Sequence, residues 1–199
     1  MIDTDDLLIL YTDSARAEVD AFEKVLNQSF EATPRAPVDQ YLGMHVTRNR
    51  TQRFLALDCR RHVYDYIHEM GYDPKSTNTV TTPLDPNVIY SLEDCPDEVD
   101  VELIAKVWTA HGKLIRLAVW SRPDLAHAVS VLCRYVHNPS PKLWLAYHRI
   151  VKYLIRTKDF RLVSITHDPL HRTEPYGFKD RDWAADPTTA NPPAHDYSC

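Results

Sequence analysis

Apolar residues recur at spacings of three and four through Val19, Phe22, Leu26 and Phe30, and again through Val63, Tyr66, Ile67 and Met70. The same period returns over residues 101–119, over 124–136, and in Trp144, Tyr147, Ile150, Val151 and Leu154. Each set falls on one side of an α-helix, which predicts five helices. Residues 5–11 are different: a short, unbroken apolar run behind two acids, sized for a buried strand. Residues 40–47 and 53–57 predict two more strands around the basic turn Arg48-Asn49-Arg50-Thr51, and 161–166 alternate as another, with 175–184 as its hairpin partner.

Local punctuation supports these limits. Thr12, Asp13 and Ser14 offer N-cap oxygens for the first helix, and Gly71 sits where the second needs a C′ glycine. Ser121-Arg122-Pro123-Asp124 breaks the third helix and puts proline near the first turn of the next. Residues 72–100 collect Pro, Asp, Thr and Ser without periodicity, predicting a long connection and the best place for a boundary. The stretch after residue 187 holds prolines and no pattern, and is expected to be loose.

Composition narrows the class. With 44% hydrophobic and 26% charged residues over 199, the chain is globular in make-up, not disordered or collagen-like. No apolar run approaches the ~20 residues that span a bilayer, so no membrane role is expected. The N-terminus lacks a basic signal region. Cys59, Cys95, Cys133 and Cys199 are scattered without a Cys-x-x-Cys pair, which points to reduced thiols in an intracellular protein, cytoplasmic or nuclear. Four glycines exclude a glycine-rich phosphate loop, and the ten histidines show no zinc spacing. Charge is unevenly spread: residues 101–163 carry 11 Lys and Arg against three Asp and Glu, a net +8, in a chain whose total is −5. A basic middle between acidic ends fits a polyanion groove, or simply exposed helices.

The motifs resemble one family. Asp3-Thr4-Asp5-Asp6-Leu7-Leu8-Ile9 stands where copia-type LTR-retrotransposon reverse transcriptases carry Tyr-Val-Asp-Asp-Leu-Leu-Ile, and Tyr41-Leu42-Gly43 matches their Phe-Leu-Gly strand. Thr81-Thr82-Pro83, Gly112-Lys113-Leu114, Ser121-Arg122-Pro123-Asp124-Leu125, Asn138-Pro139 and Trp144-Leu145-Ala146 follow in the family's order. Arg149-Ile150-Val151-Lys152-Tyr153-Leu154 with Thr157, and then Asp180-Arg181-Asp182-Trp183, complete it. The chain thus resembles the C-terminal half of that polymerase, running into the start of its RNase H domain.

The resemblance implies an α+β fold, with a partial palm over residues 1–58 that carries primer-grip-like strands, a mostly helical thumb and connection over 59–160, and a truncated RNase H-like hairpin over 161–199. It implies RNA-directed DNA polymerisation by two Mg²⁺ ions. Asp5 would be a direct ligand and Asp6 a supporting one, and Asp180 would be the first RNase H carboxylate. Asp182 and Asp186 read as strand and turn residues. Because these 199 residues hold neither an earlier palm acid and the fingers nor the family's other RNase H acids, both metal sites are expected to be vestigial and Mg²⁺ not bound productively. The hairpin also departs from the family: Asp3 replaces an aromatic. What remains is a template–primer cradle of Lys113, Arg116, Arg122, Arg134, Lys142, Arg149, Lys152 and Arg156, contacting RNA or DNA phosphates without reading sequence. For Arg122 a second role is open, as a structural residue pairing with Asp124. Trp108, Trp120, Trp144 and Tyr153 are expected in the core. Other fragments of the same polyprotein are possible partners. The alternative function is a retained nucleic-acid-binding module without catalysis.

Overall fold

A computed structural model describes residues 2–3, 6–30 and 37–165. It is α+β, with five α-helices and a four-stranded antiparallel sheet among those residues. Two short strands, β1 (Ile2–Asp3) and β2 (Asp6–Leu7), pair antiparallel ahead of helix α1 (Arg16–Ser29). The strand expected over residues 5–11 shrinks to those two residues. An unbroken apolar run needs cover on both faces, and Leu10 stays 85% exposed. Helix α1 forms as its periodicity requires, yet only Val19 is buried along it.

The main sheet runs β3 (Gln40–Tyr41), β4 (Met44–Asn49), β5 (Phe54–Asp58) and β6 (Leu162–Ile165), in that spatial order. β3 and β4 are joined by Leu42 and Gly43, at φ 52° and 78°. Two successive left-handed residues make the tight turn whose twist matches flanking strands; glycine takes that conformation readily, leucine at a cost. β6 lies against β5 in register Leu57↔Leu162. Its expected partner, residues 175–184, lies outside the described residues, as does the stretch after residue 187.

The core belongs to the helices. α2 (Arg60–Glu69) follows β5 directly, and α3 (Val101–Trp120), α4 (Ala126–Cys133) and α5 (Pro141–Arg156) pack with it around Ile67, Leu114, Leu125, Leu132, Tyr147, Ile150 and Leu154. α2 stops at Gly71 (φ 77°), where Tyr72 N–H reaches Ile67 O and Gly71 N–H reaches His68 O, the paired bonds of a glycine helix stop. Asp100 caps α3 and Ser140 caps α5 through the N–H groups of Leu103 and Leu143. α4 is shorter than its pattern: a 3₁₀ turn (Pro123–Leu125) opens it, and Tyr135 N–H bonds to Leu132 O in a tighter turn ahead of Pro139.

Residues 72–100 are irregular, as expected, but they do not mark a boundary. Tyr72, Val80, Leu84 and Tyr90 pack on the helical core. Tyr135 Oη donates to Tyr90 O (2.7 Å) and Asn138 Nδ2 to Pro96 O (2.9 Å). The segment is a strap laid against α5 and the turn that follows α4.

Candidate nucleic-acid interface

The Ser121-Arg122-Pro123-Asp124 break is a clamp. Arg122 is 1% exposed. Its Nε donates to Asp124 Oδ1 (2.9 Å), Nη2 to Asp124 Oδ2 (2.7 Å) and Thr157 Oγ1 (2.6 Å), and Nη1 to Thr157 O (3.2 Å). Tyr153 Oη donates to Asp124 Oδ2 (2.8 Å), and the guanidinium lies against the rings of Tyr153 and Phe160. Burial alone would push the Asp124 carboxyl up; the bonds from Arg122 and Tyr153 outweigh it and hold the group below the usual carboxylate range. Arg122 therefore leaves the list of phosphate contacts, because a guanidinium already bonded inside the fold has nothing to present to a ligand. Its structural role is the one realised.

The other expected cations fall on two surfaces. Lys142, Arg149, Lys152 and Arg156 share one side of α5, at spacings of seven, three and four. Over that distance the stripe is about 21 Å long. Its first half is answered by the strap. Lys142 Nζ reaches Asp94 Oδ2 (2.8 Å) and Ile89 O (2.7 Å), and Arg149 reaches Asp85 Oδ2 (3.3 Å) and Thr82 Oγ1 (3.1 Å). Lys142 holds the Asp94 carboxyl below its ordinary range. Lys152 is half-buried and Arg156 exposed. Arg134 lies on the surface just past α4.

The second surface is the outer side of α3. Its inner side buries Val107, Ala110, Leu114 and Leu117. Opposite, at alternating spacings of four and three, stand Val101, Ala105, Trp108, Gly112, Ile115 and Val119. Trp108 is 55% exposed and Val119 76%. Trp108 thus departs from the expected core position; its Nε1 donates to Val136 O (2.9 Å) while the ring faces outward. A side chain added at Gly112 would meet nothing within 4 Å. Beside this strip Lys113 pairs with Glu69, and Arg116 lies 4.0 Å over the Trp120 ring, close to the Gly43 turn and His62. The period over 101–119 thus belongs to two apolar sides of α3, one buried and one exposed.

Of the three expected metal ligands, only Asp6 falls within the described residues. Asp6 opens β2, paired through the backbone with Asp3. Asp5 and Asp180 lie outside the described residues. Among the described residues no group of three or more His, Cys, Asp or Glu could hold a metal ion, and no helix is long and apolar enough to cross a membrane.

Relatives place the chain more broadly. It is 32% identical over 185 residues to the retrovirus-related Pol polyprotein from transposon TNT 1-94 of Nicotiana tabacum, covering 92% of this chain and 13% of that protein. It is 28% identical over 191 residues to the Pol polyprotein from transposon RE2 of Arabidopsis thaliana, covering 94% and 12%. An uncharacterized mitochondrial protein of Arabidopsis thaliana is 24% identical over 176 residues, 88% of this chain and 68% of that protein. The chain thus spans only 12–13% of the length of these two Pol polyproteins. No family model matches it, and no solved structure does.

Proposed function

We propose that this chain, whose homologues are retrotransposon Pol polyproteins, corresponds to the C-terminal half of a copia-type reverse transcriptase and that its helical unit rests on the template–primer duplex. In this assignment residues 1–58 are palm, 59–160 thumb and connection, and 161–199 the start of an RNase H portion. Asp5 and Asp6 would supply part of one Mg²⁺ ligand set and Asp180 part of another. The ions, when bound, neutralise charge on the reacting phosphate and activate its attacking oxygen. What the described residues contribute is grip and position.

The carrying observation is Gly112. In mid-helix, glycine costs about 0.5–1 kcal/mol relative to alanine, and here no internal neighbour requires it. It lies at the centre of an exposed strip about 27 Å long, from Val101 to Val119. A bare backbone patch between Trp108 and Ile115, with Lys113 and Arg116 alongside, suits close approach by the sugar edge of a duplex while the cations meet its phosphates.

The test is duplex binding by Gly112→Ala, followed by fluorescence anisotropy on an RNA–DNA hybrid. The variant is expected to bind several-fold more weakly while melting at a higher temperature. Unchanged affinity in that more stable variant would sink the assignment of this face. Primer extension with Mg²⁺ by these 199 residues is expected to give no incorporation.

A further inference from the structure

The α5 stripe and the strap together carry a consequence for regulation. Four cations lie in line on one side of α5, and carboxylates of a single irregular segment sit on the two N-terminal ones, Asp94 on Lys142 and Asp85 on Arg149. The side chains in these pairs are 27–42% exposed, so water screens them and each is weak and readily exchanged. Further acids flank Asp94 in the sequence, Glu93, Asp97 and Glu98. Neither contact buries the cation it answers. Both place oxyanions where phosphates of a bound backbone would sit, at the same charge and hydrogen-bond distance.

We infer that the strap segment 82–97 is a built-in phosphate mimic, covering half of the α5 cation stripe and yielding it only to a polyanion that outcompetes Asp85 and Asp94. The inference rests on the nucleic-acid assignment above but concerns a different helix. With the strap in place Lys152 and Arg156 meet the polyanion first; displacement of the carboxylates then recruits Arg149 and Lys142. Binding is self-limited at low polyanion concentration, and the strap acts as a filter against short or sparsely charged ligands.

The experiment uses the full chain carrying Asp85→Asn and Asp94→Asn together. Asparagine keeps one side-chain oxygen to accept the Asn87 and Ser91 N–H groups and removes the charge together with the second acceptor oxygen. Affinity for a labelled RNA–DNA hybrid is measured across a salt series. The double variant is expected to bind about tenfold more tightly at low salt, with the slope of log K against log salt steeper by roughly two. Equal or weaker binding by a variant that melts as the wild type does would overturn the inference. Lys152→Glu with Arg156→Glu is the companion: duplex binding insensitive to it removes the stripe, and the gate with it, while Gly112→Ala still judges the α3 face separately. In the unmutated chain, amide exchange over residues 82–97 is expected to quicken on duplex binding; unchanged or slower exchange counts against displacement.

Discussion

Arg122 ties Asp124, Thr157 and two aromatic rings together from inside the fold. Its place in a Ser-Arg-Pro-Asp motif inside the basic segment invited a phosphate. The structure gives it a carboxylate, a threonine and two aromatic rings instead. Nothing in the spacing announces Thr157, 35 residues away. Asp124→Asn would leave a buried guanidinium without its counter-charge, and is expected to destabilise the fold by about 3–5 kcal/mol in urea unfolding. Lys113→Ala, removing a half-exposed pair with Glu69, is expected to cost less than about 1 kcal/mol. Histidine adds a pH dependence of the opposite origin. His111 is buried, bonded through Nδ1 to Tyr147 Oη (2.9 Å), with Nε2 unpartnered. Burial pushes its pKa down, as it does for His62 and His148. A folded value below the unfolded one of about 6.5 means stability is whole above that pH and is lost as pH falls through the folded values. Melting temperature is therefore expected to be flat from neutral pH upward and to drop on acidification; His111→Leu should shallow that drop. A pH-independent wild type would refute it.

At the level of elements, the helices were readable from their apolar period. Gly71 ends α2 with the paired bonds expected of it; Asp100 and Ser140 cap α3 and α5 without having been singled out by the pattern, whereas no side chain of Thr12, Asp13 or Ser14 caps the start of α1. What the pattern could not supply is which apolar side faces inward when a helix has two. In α3 the strip from Val101 to Val119 is as regular as the buried one, and Trp108, expected in the core, stands on the exposed side. Gly112→Ala tests the element as well as the ligand. With open space at the added methyl, it is expected to raise stability by about 0.5–1 kcal/mol in the free protein, so a loss of duplex affinity cannot be put down to damage. The strap was equally hidden: its carboxylates look like loop solubilisers in the sequence, and only their distances to Lys142 and Arg149 show them occupying the cations.

Across the molecule, order is graded. The helical unit α2–α5 holds nearly all buried hydrophobic residues, whereas α1 buries Val19 alone and leaves Phe22 48%, Val25 62% and Phe30 67% exposed. A helix of 14 residues with so little packing is marginal by itself. Limited proteolysis is expected to cut first within α1 and to leave a product containing residues 40–165 that still unfolds cooperatively; first cleavage inside α3 or α5 would contradict that ranking.

The sheet carries its own consequence for how the chain is made. β5 ends at Asp58, but the strand that closes its free side begins only at Leu162. On a ribosome adding about 5–20 residues per second, that edge waits roughly 5–20 s before its neighbour emerges. Throughout this interval the nascent polypeptide carries an unsatisfied row of backbone donors and acceptors, a vulnerability to mispairing between growing chains that ends only when β6 has been synthesised.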